Sequence, residues 1–266
     1  MKRNSNPKTT LLCEGLPTPH VIRPKVFTAA RSGDLRRTMR ILFLLTLCCA
    51  AALCVAAESE SKDAGIVQPP SGYTALFNGK DLSGWKGLVA NPIVRAKMKP
   101  TELAAAQAKA DDNMRAHWKA DDGILVFDGK GQNLCTARDY TNFEMLVDWK
   151  ILPKGDSGIY LRGSPQVQIW DYTKNPEGSG GLYNNKKNPS KPLVCADKPI
   201  GEWNHFYIKM VGEKVWVDFN GKRVVDGVTL ENYWDRKQPI FPSGQIELQN
   251  HGGTLWFRNI FVRELE

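Results

Sequence analysis

Three short stretches carry side chains able to grip a polar ligand. Residues 157–163 read SGIYLRG, 166–171 read QVQIWD and 245–252 read QIELQNHG. In each, apolar residues alternate with Tyr, Arg, Gln, Glu or His. A period of two sends the two sets to opposite faces of a sheet. A plain solvent face would be rich in Lys, Ser and Thr. This one offers Tyr160, Arg162, Gln166, Gln168, Trp170, Glu247, Gln249 and His251, groups that hydrogen-bond and stack as a sugar requires. Asp171 breaks the alternation by sharing the Val167/Ile169 face, which marks a strand end or bulge that could turn it into the site. Tyr183 follows a glycine run, so a loop could bring its phenol over the same face.

The elements that must position these groups read as strands. Residues 143–151 (FEMLVDWKI) put Phe143, Met145, Val147, Trp149 and Ile151 on one side and Glu144, Asp148 and Lys150 on the other. Residues 205–211 and 214–219 are further strands, and Asn220-Gly221 is a strong two-residue hairpin signal before Lys222–Val225. Residues 254–263, apolar on both sides, read as a central or covered strand. Asn78-Gly79 marks an early turn. One segment departs from this pattern: 101–118, rich in Ala, Glu, Gln and Lys, is expected to be a helix with Thr101 as its N-cap, packed on the surface by a thin apolar stripe. The segment 174–201, dense in Gly, Asn, Pro and Lys, reads as long loops, which tend to be functional. Strands at short spacing with Gly, Pro and Asn turns imply an all-β sandwich or jelly roll with one short inserted helix.

The net charge of +8 does not describe this domain. Residues 1–57 hold 9 Lys+Arg against 2 Asp+Glu, and the remainder holds 27 against 26. A near-neutral domain with scattered basic residues gives no case for nucleic acid. Met39, Arg40, the apolar run that follows and the small residues Val55, Ala56 and Ala57 describe a secretory signal peptide over 39–57. The expected organisation is an upstream extension plus signal peptide over 1–57, a polar linker over 58–70 and one domain over 71–266. Such a chain would be exported, periplasmic or extracellular, with no stable membrane span after cleavage. Of the six cysteines only Cys135 and Cys195 lie in the domain, where they could pair. No metal-type cysteine spacing is present.

Taken together, the segments resemble the 3-keto-disaccharide hydrolase family. The matching stretches include GYTALFNGKDLSGW (72–85), Trp118 to Gly123 as W-x-x-x-D-G, DSGIYLRG (156–163), VQIWD (167–171), GGLY (180–183), GEWNHF (201–206), FNGK (219–222), GQIELQNHG (244–252) and FRNI (257–260). They span about 72–266 in family order. The resemblance implies a concanavalin-like β-sandwich with a concave sheet holding the site. It also implies action on glycosides oxidised to a ketone at sugar C3, by elimination or hydration. The helical insertion at 101–118 departs from the shortest family pattern.

A C3 ketone acidifies the hydrogen at C2, so a general base can remove it while the group at C1 leaves. The intermediate carries charge on the former ketone oxygen. Asp148, Glu144, Glu247 and His251 could act as base or acid, with Asp148 and His251 leading. Arg162, Tyr160 and Gln249 could donate to the oxyanion, a task a divalent cation could share. Gln168, Trp170, Asp171, Tyr183 and Glu247 complete the expected sugar contacts. An ordinary glycosidase pair is a poor fit, because Glu144 and Asp148 would stand about 13 Å apart along one strand. The expected partner is an oxidised, 3-keto sugar. Two rivals remain open: a non-catalytic carbohydrate-binding, lectin-like module and a laminin-G-like adhesion domain.

Overall fold

The computed structural model describes residues 67–266. The expected signal peptide and upstream extension, and most of the linker, lie outside the described residues. The chain runs β1 (Thr74–Ala75), β2 (Trp85–Gly87), α1 (Pro92–Arg95), α2 (Pro100–His117), β3 (Trp118–Asp121), β4 (Ile124–Phe127), β5 (Leu134–Thr136), β6 (Asn142–Ile151), β7 (Asp156–Leu161), β8 (Ser164–Trp170), β9 (Asn204–Val211), β10 (Lys214–Phe219), β11 (Lys222–Thr229), β12 (Glu247–Leu248) and β13 (Leu255–Leu265). These strands form two antiparallel sheets. The larger has the order β11-β10-β9-β6-β13-β4-β3, with β1 added to β13, and the smaller has the order β2-β5-β12-β7-β8. It is an all-β sandwich, as the alternation implied.

The core is what period two dictates. From β6, Phe143, Met145, Val147, Trp149 and Ile151 are all buried, and from the small sheet Ile159, Leu161, Val167, Ile169 and Leu248 meet them. Trp149 stacks on Phe219 and tilts against Phe206, and Trp118 stacks on Phe127 at 4.5 Å. Strand β13 is central, between β6 and β4, which explains its apolar residues on both sides. The Asn220-Gly221 turn has positive φ at both residues, 48° and 80°, the two-residue hairpin conformation that matches strand twist. On the outer face of the large sheet Glu144 is buried. It is 5% exposed and accepts hydrogen bonds from Tyr73 Oη and Arg263 Nε, each 2.9 Å.

The insertion is two helices rather than one short one. α1 is a single turn capped by Asn91, whose Oδ1 accepts from Val94 N at 3.0 Å. α2 has 18 residues, begins at Pro100 and has Lys99, not Thr101, as its N-cap. Proline fits the first helical position because its missing N–H has no partner there, and Glu102 reaches back to Lys99 N at 3.1 Å. Only Met114 of α2 is buried, so its role is local. β2 is the free edge of the small sheet, and α2 covers it: Gly87 N donates to Asp111 Oδ1 at 3.0 Å and Gln107 Nε2 donates to Gly87 O at 2.9 Å. The helix satisfies an edge that would otherwise be open to pairing. Cys135 is a free, buried thiol, so the Cys135–Cys195 pair does not form. Strand β5 holds Cys135 between Lys86 and Glu247, and its Sγ lies 3.4 Å from Lys86 O.

The approach of α2 is close enough to test. A Cβ at Gly87 would fall 2.0 Å from the Ala110 carbonyl oxygen. Gly87→Ala is expected to push α2 off the edge and cost about 1–3 kcal/mol in urea unfolding; a loss below about 0.5 kcal/mol would show that the helix does not seal β2.

Candidate active site

The outer face of the small sheet holds a cavity of about 430 Å³. Its floor comes from β7, β8 and the segment after β12, and its rim from the loops joining β8 to β9 and β11 to β12. Along β7 and β8 the register pairs Asp156 with Trp170 and Gly158 with Gln168. A β-bulge follows, where Pro165 and Gln166 together oppose Tyr160. The extra residue re-aims the strand, so both Pro165 and Gln166 reach the cavity. Gly158 supplies room for this: a Cβ there would lie 2.8 Å from Gln166 Cδ.

Two hydrogen-bonded chains cross the floor. In the first, Gln166 donates to Gln168 Oε1, Gln168 Nε2 donates to Asp156 Oδ1 at 2.8 Å, and Asp156 Oδ2 faces His251 Nδ1 at 3.2 Å. In the second, Asn133 Nδ2 donates to the buried Glu247 at 3.4 Å and its side chain also reaches the Tyr160 hydroxyl, which accepts from Gln249 Nε2 at 3.3 Å. Two buried acceptors, Gln166 Oε1 and Gln249 Oε1, have no partner among the described residues. Both residues line the cavity. A buried acceptor without a donor costs about 1–3 kcal/mol, and both of these lie in residues of the cavity wall.

The electrostatics separate the groups by task. Burial raises the Asp156 carboxyl above its ordinary range against the pull of His251 and Gln168. Burial, and then the nearby Glu247, raise the Tyr160 phenol, so it remains a proton donor at neutral pH. Burial pushes Glu247 up to about 7, opposed by the Asn133 hydrogen bond and the charge of Arg95. α1 seals that end of the sheet: a Cβ at Gly163 would sit 2.6 Å from Pro92 Cγ and 3.6 Å from Glu247 Oε1. Among the described residues no three His, Cys, Asp or Glu side chains gather to hold a metal ion.

The rim is riveted by one carboxylate. Glu231 Oε1 accepts from the backbone N–H groups of Lys186, Lys187 and Asn188 at 3.0, 2.7 and 2.8 Å, and Oε2 pairs with Arg236 Nη1 at 3.0 Å. Burial would raise the Glu231 pKa, but those N–H donors outweigh it and bring it down to about 2. The same carboxylate thus joins the loop that carries Tyr183 to the loop that carries Tyr233 and Trp234. Trp234 Nε1 donates to Gly163 O at 2.7 Å and Tyr233 N to Ser164 Oγ at 3.1 Å, which anchors the second loop to the β7–β8 turn.

Of the residues expected from the sequence, Tyr160, Gln168, Trp170, Tyr183, Gln249 and His251 line this cavity. Glu247 lies behind it, 1% exposed. Three others are placed elsewhere. Asp148 belongs to the large sheet, where His205 Nδ1 is 2.7 Å from Oδ1, and Asn259 Nδ2 and Arg258 Nε donate to Oδ2 at 2.8 and 3.2 Å. Arg162 leaves the polar face because it and Gly163 form the β7–β8 turn with φ of 53° and 74°. Its guanidinium instead reaches Asn142 Oδ1 at 3.1 Å and Phe241 O at 3.3 Å. Asp171 closes a local turn, accepting from Lys154 N at 2.8 Å and Thr173 N at 2.9 Å. Sequence reasoning missed Asp156, although its parity with Gly158 and Tyr160 was available. It also missed Asn175, Asn184, Tyr233 and Trp234, which sit on loops without periodicity.

The model of the 3-keto-alpha-glucoside-1,2-lyase-like domain matches residues 72–263. The chain belongs to that family. The 3-keto-alpha-glucoside-1,2-lyase-like domain therefore accounts for both sheets and the cavity, and makes this a carbohydrate-active protein. A 3-keto-disaccharide hydrolase of Bacteroides thetaiotaomicron is 25% identical over 250 residues, covering 73% of this chain and 79% of the relative. A solved structure from Parabacteroides distasonis ATCC 8503, provisionally named a glycosyl hydrolase, superimposes with a TM-score of 0.54 at 23% identity, over 73% of this chain and 94% of that one. It supports the β-sandwich fold.

The buried Glu247 makes a pH prediction whose sign is fixed. Its folded value of about 7 lies above the ordinary 4.5, so between those values the folded state holds the proton and the unfolded state has lost it. Stability therefore falls as pH rises through that window. Glu247→Gln should remove the fall and be more stable than the parent at pH 8 by up to roughly 3 kcal/mol, with little difference at pH 4. Parallel urea curves for parent and variant at both pH values would refute the burial penalty.

Proposed function

We propose that this domain cleaves 3-keto-glycosides by base-assisted elimination at C2 and C1. The observation that carries the reading is the convergence, on one cavity of a family member, of the Asp156–His251 pair and the Tyr160–Gln249 pair. His251 takes the C2 proton through Nε2 while Asp156 holds Nδ1, and Gln168 fixes the far oxygen of Asp156. The former ketone oxygen gathers charge beside the Tyr160 hydroxyl, which stays protonated and can donate. The C1–O bond then breaks, the leaving oxygen takes a proton, and a C1–C2 double bond conjugated with the ketone remains. Addition of water across that bond gives net hydrolysis, whereas release before hydration makes the same site a lyase.

Asp148 takes no part in this scheme, since its carboxylate is on the other sheet. We also infer export, from the residue pattern over 39–57; N-terminal sequencing of the secreted protein should then begin at Glu58. The rival reading, a lectin-like module, shares the polar floor and Trp170 but has no use for a proton acceptor.

The domain should release the aglycone from a 3-keto-glucoside and leave the unoxidised parent intact. His251→Ala and Asp156→Asn should each lower turnover by about 10²-fold or more, while Asp148→Asn keeps the parental rate per folded molecule. Binding of both sugars without turnover of either would favour the lectin-like module.

A further inference from the structure

Of the exposed large hydrophobic side chains among the described residues, two line this cavity: Tyr183, 55% exposed, and Tyr233, 40% exposed. Neither is an accident of a loose loop. Tyr183 meets Trp170 edge to face at 5.1 Å and 71°, and Trp170 is itself fixed by Nε1 donating to Gly178 O at 2.7 Å. Tyr233 stands perpendicular to Trp234 at 4.9 Å, and the Arg236 guanidinium lies 5.0 Å from its ring centre. Arg236 in turn is held by Glu231, the carboxylate that also binds the loop after Tyr183. The rings are kept at the rim by hydrogen-bonded backbone, not by burial of their own surface. Rigid exposed phenol rings above a floor of amides, carboxyl and imidazole divide the cavity by chemistry: hydroxyls below, apolar ring faces above.

We propose that Tyr183 and Tyr233 form a leaving-group subsite, which takes a ring with an apolar face attached to C1 of the sugar held below. The proposal rests on the glycoside reading given above. A second pyranose and a phenolic aglycone share that chemistry, since each offers a flat C–H or π face to a phenol ring. An alkyl leaving group offers no such face. Glu231 is the positioning residue of the subsite: it touches no ligand but sets both tyrosines.

The test compares methyl 3-keto-glucoside, phenyl 3-keto-glucoside and a 3-keto-disaccharide on the purified domain. Both kcat/KM and binding, read by quenching of tryptophan fluorescence, are measured. The parent should bind at least one ring-bearing compound about tenfold more tightly than the methyl glycoside. Tyr183→Ala and Tyr233→Ala should each erase that preference, the ring-bearing compound losing about tenfold more affinity than the methyl glycoside. A preference for phenyl points to phenolic aglycones, and a preference for the disaccharide to a second sugar. Glu231→Ala should lose the preference with both tyrosines intact, and Glu231→Gln, which keeps one oxygen for the three N–H groups, should recover part of it. Ring-selective binding without turnover would overturn the elimination reading and leave the subsite standing. No ring preference in the parent, or equal losses for methyl and ring-bearing compounds in the tyrosine variants, would overturn the subsite.

Discussion

The small sheet must satisfy polar side chains on a face that is only partly open to water. Its other face is committed to the core by Ile159, Leu161, Val167, Ile169 and Leu248, each 0% exposed. Period two then leaves Asp156, Tyr160, Gln168, Glu247 and Gln249 with no alternative side. The rim loops and α1 cover that side, so Gln168 is 2% and Glu247 1% exposed. Buried polar groups in such a layer have to bond to one another or to a ligand. They do the first through the chains from Gln166 to His251 and from Glu247 to Gln249. Two oxygens, on Gln166 and Gln249, are left without a partner among the described residues. The cavity is thus a consequence of packing: a sandwich with one covered polar face has to hold either a network or a guest, and the network is in place here.

Most of the fold was legible because alternation is a local code. The residues of β6, β9, β10 and β13 sit on the faces their spacing dictated, and Asn220-Gly221 turns as that dipeptide must. The site was legible to the same extent and for the same reason: where a strand continued, Tyr160, Gln168, Trp170 and Gln249 fell on the expected face. Legibility failed where periodicity stopped. Arg162 has the right parity but the wrong conformation, because a two-residue turn with positive φ releases its side chain from the pleat. Gln166 and Pro165 share a face only because of a bulge that no spacing announces. Tyr233 and Trp234 depend on Glu231, whose partners at 186–188 are more than 40 residues away in sequence. The pairing of Asp148 with His205 and Arg258 needs strand order, β9 and β13 on either side of β6, which the sequence does not state. α2 was found from composition, yet its work in covering Gly87 follows from an edge that exists only once the small sheet is assembled.

Asp148 and Asp156 show why partners, not residue type, decide which carboxylate can serve chemistry. Both are partly buried, and burial raises both. Around Asp148 the donors His205, Asn259 and Arg258 outweigh that effect and hold the carboxyl below its ordinary value. A carboxylate so stabilised is a weak base, and its oxygens are already engaged. Around Asp156 stand the His251 imidazole, the Gln168 amide and the Ser157 backbone N–H, yet burial wins. Its affinity for a proton is therefore higher, and the His251 imidazole lies beside it. The large sheet spends its carboxylates on holding strands together: Glu144 under Tyr73 and Arg263, Asp148 between β9 and β13. The small sheet leaves its own under-coordinated. That asymmetry between the two faces of one sandwich, more than any single side chain, is what favours the small sheet for the proposed chemistry.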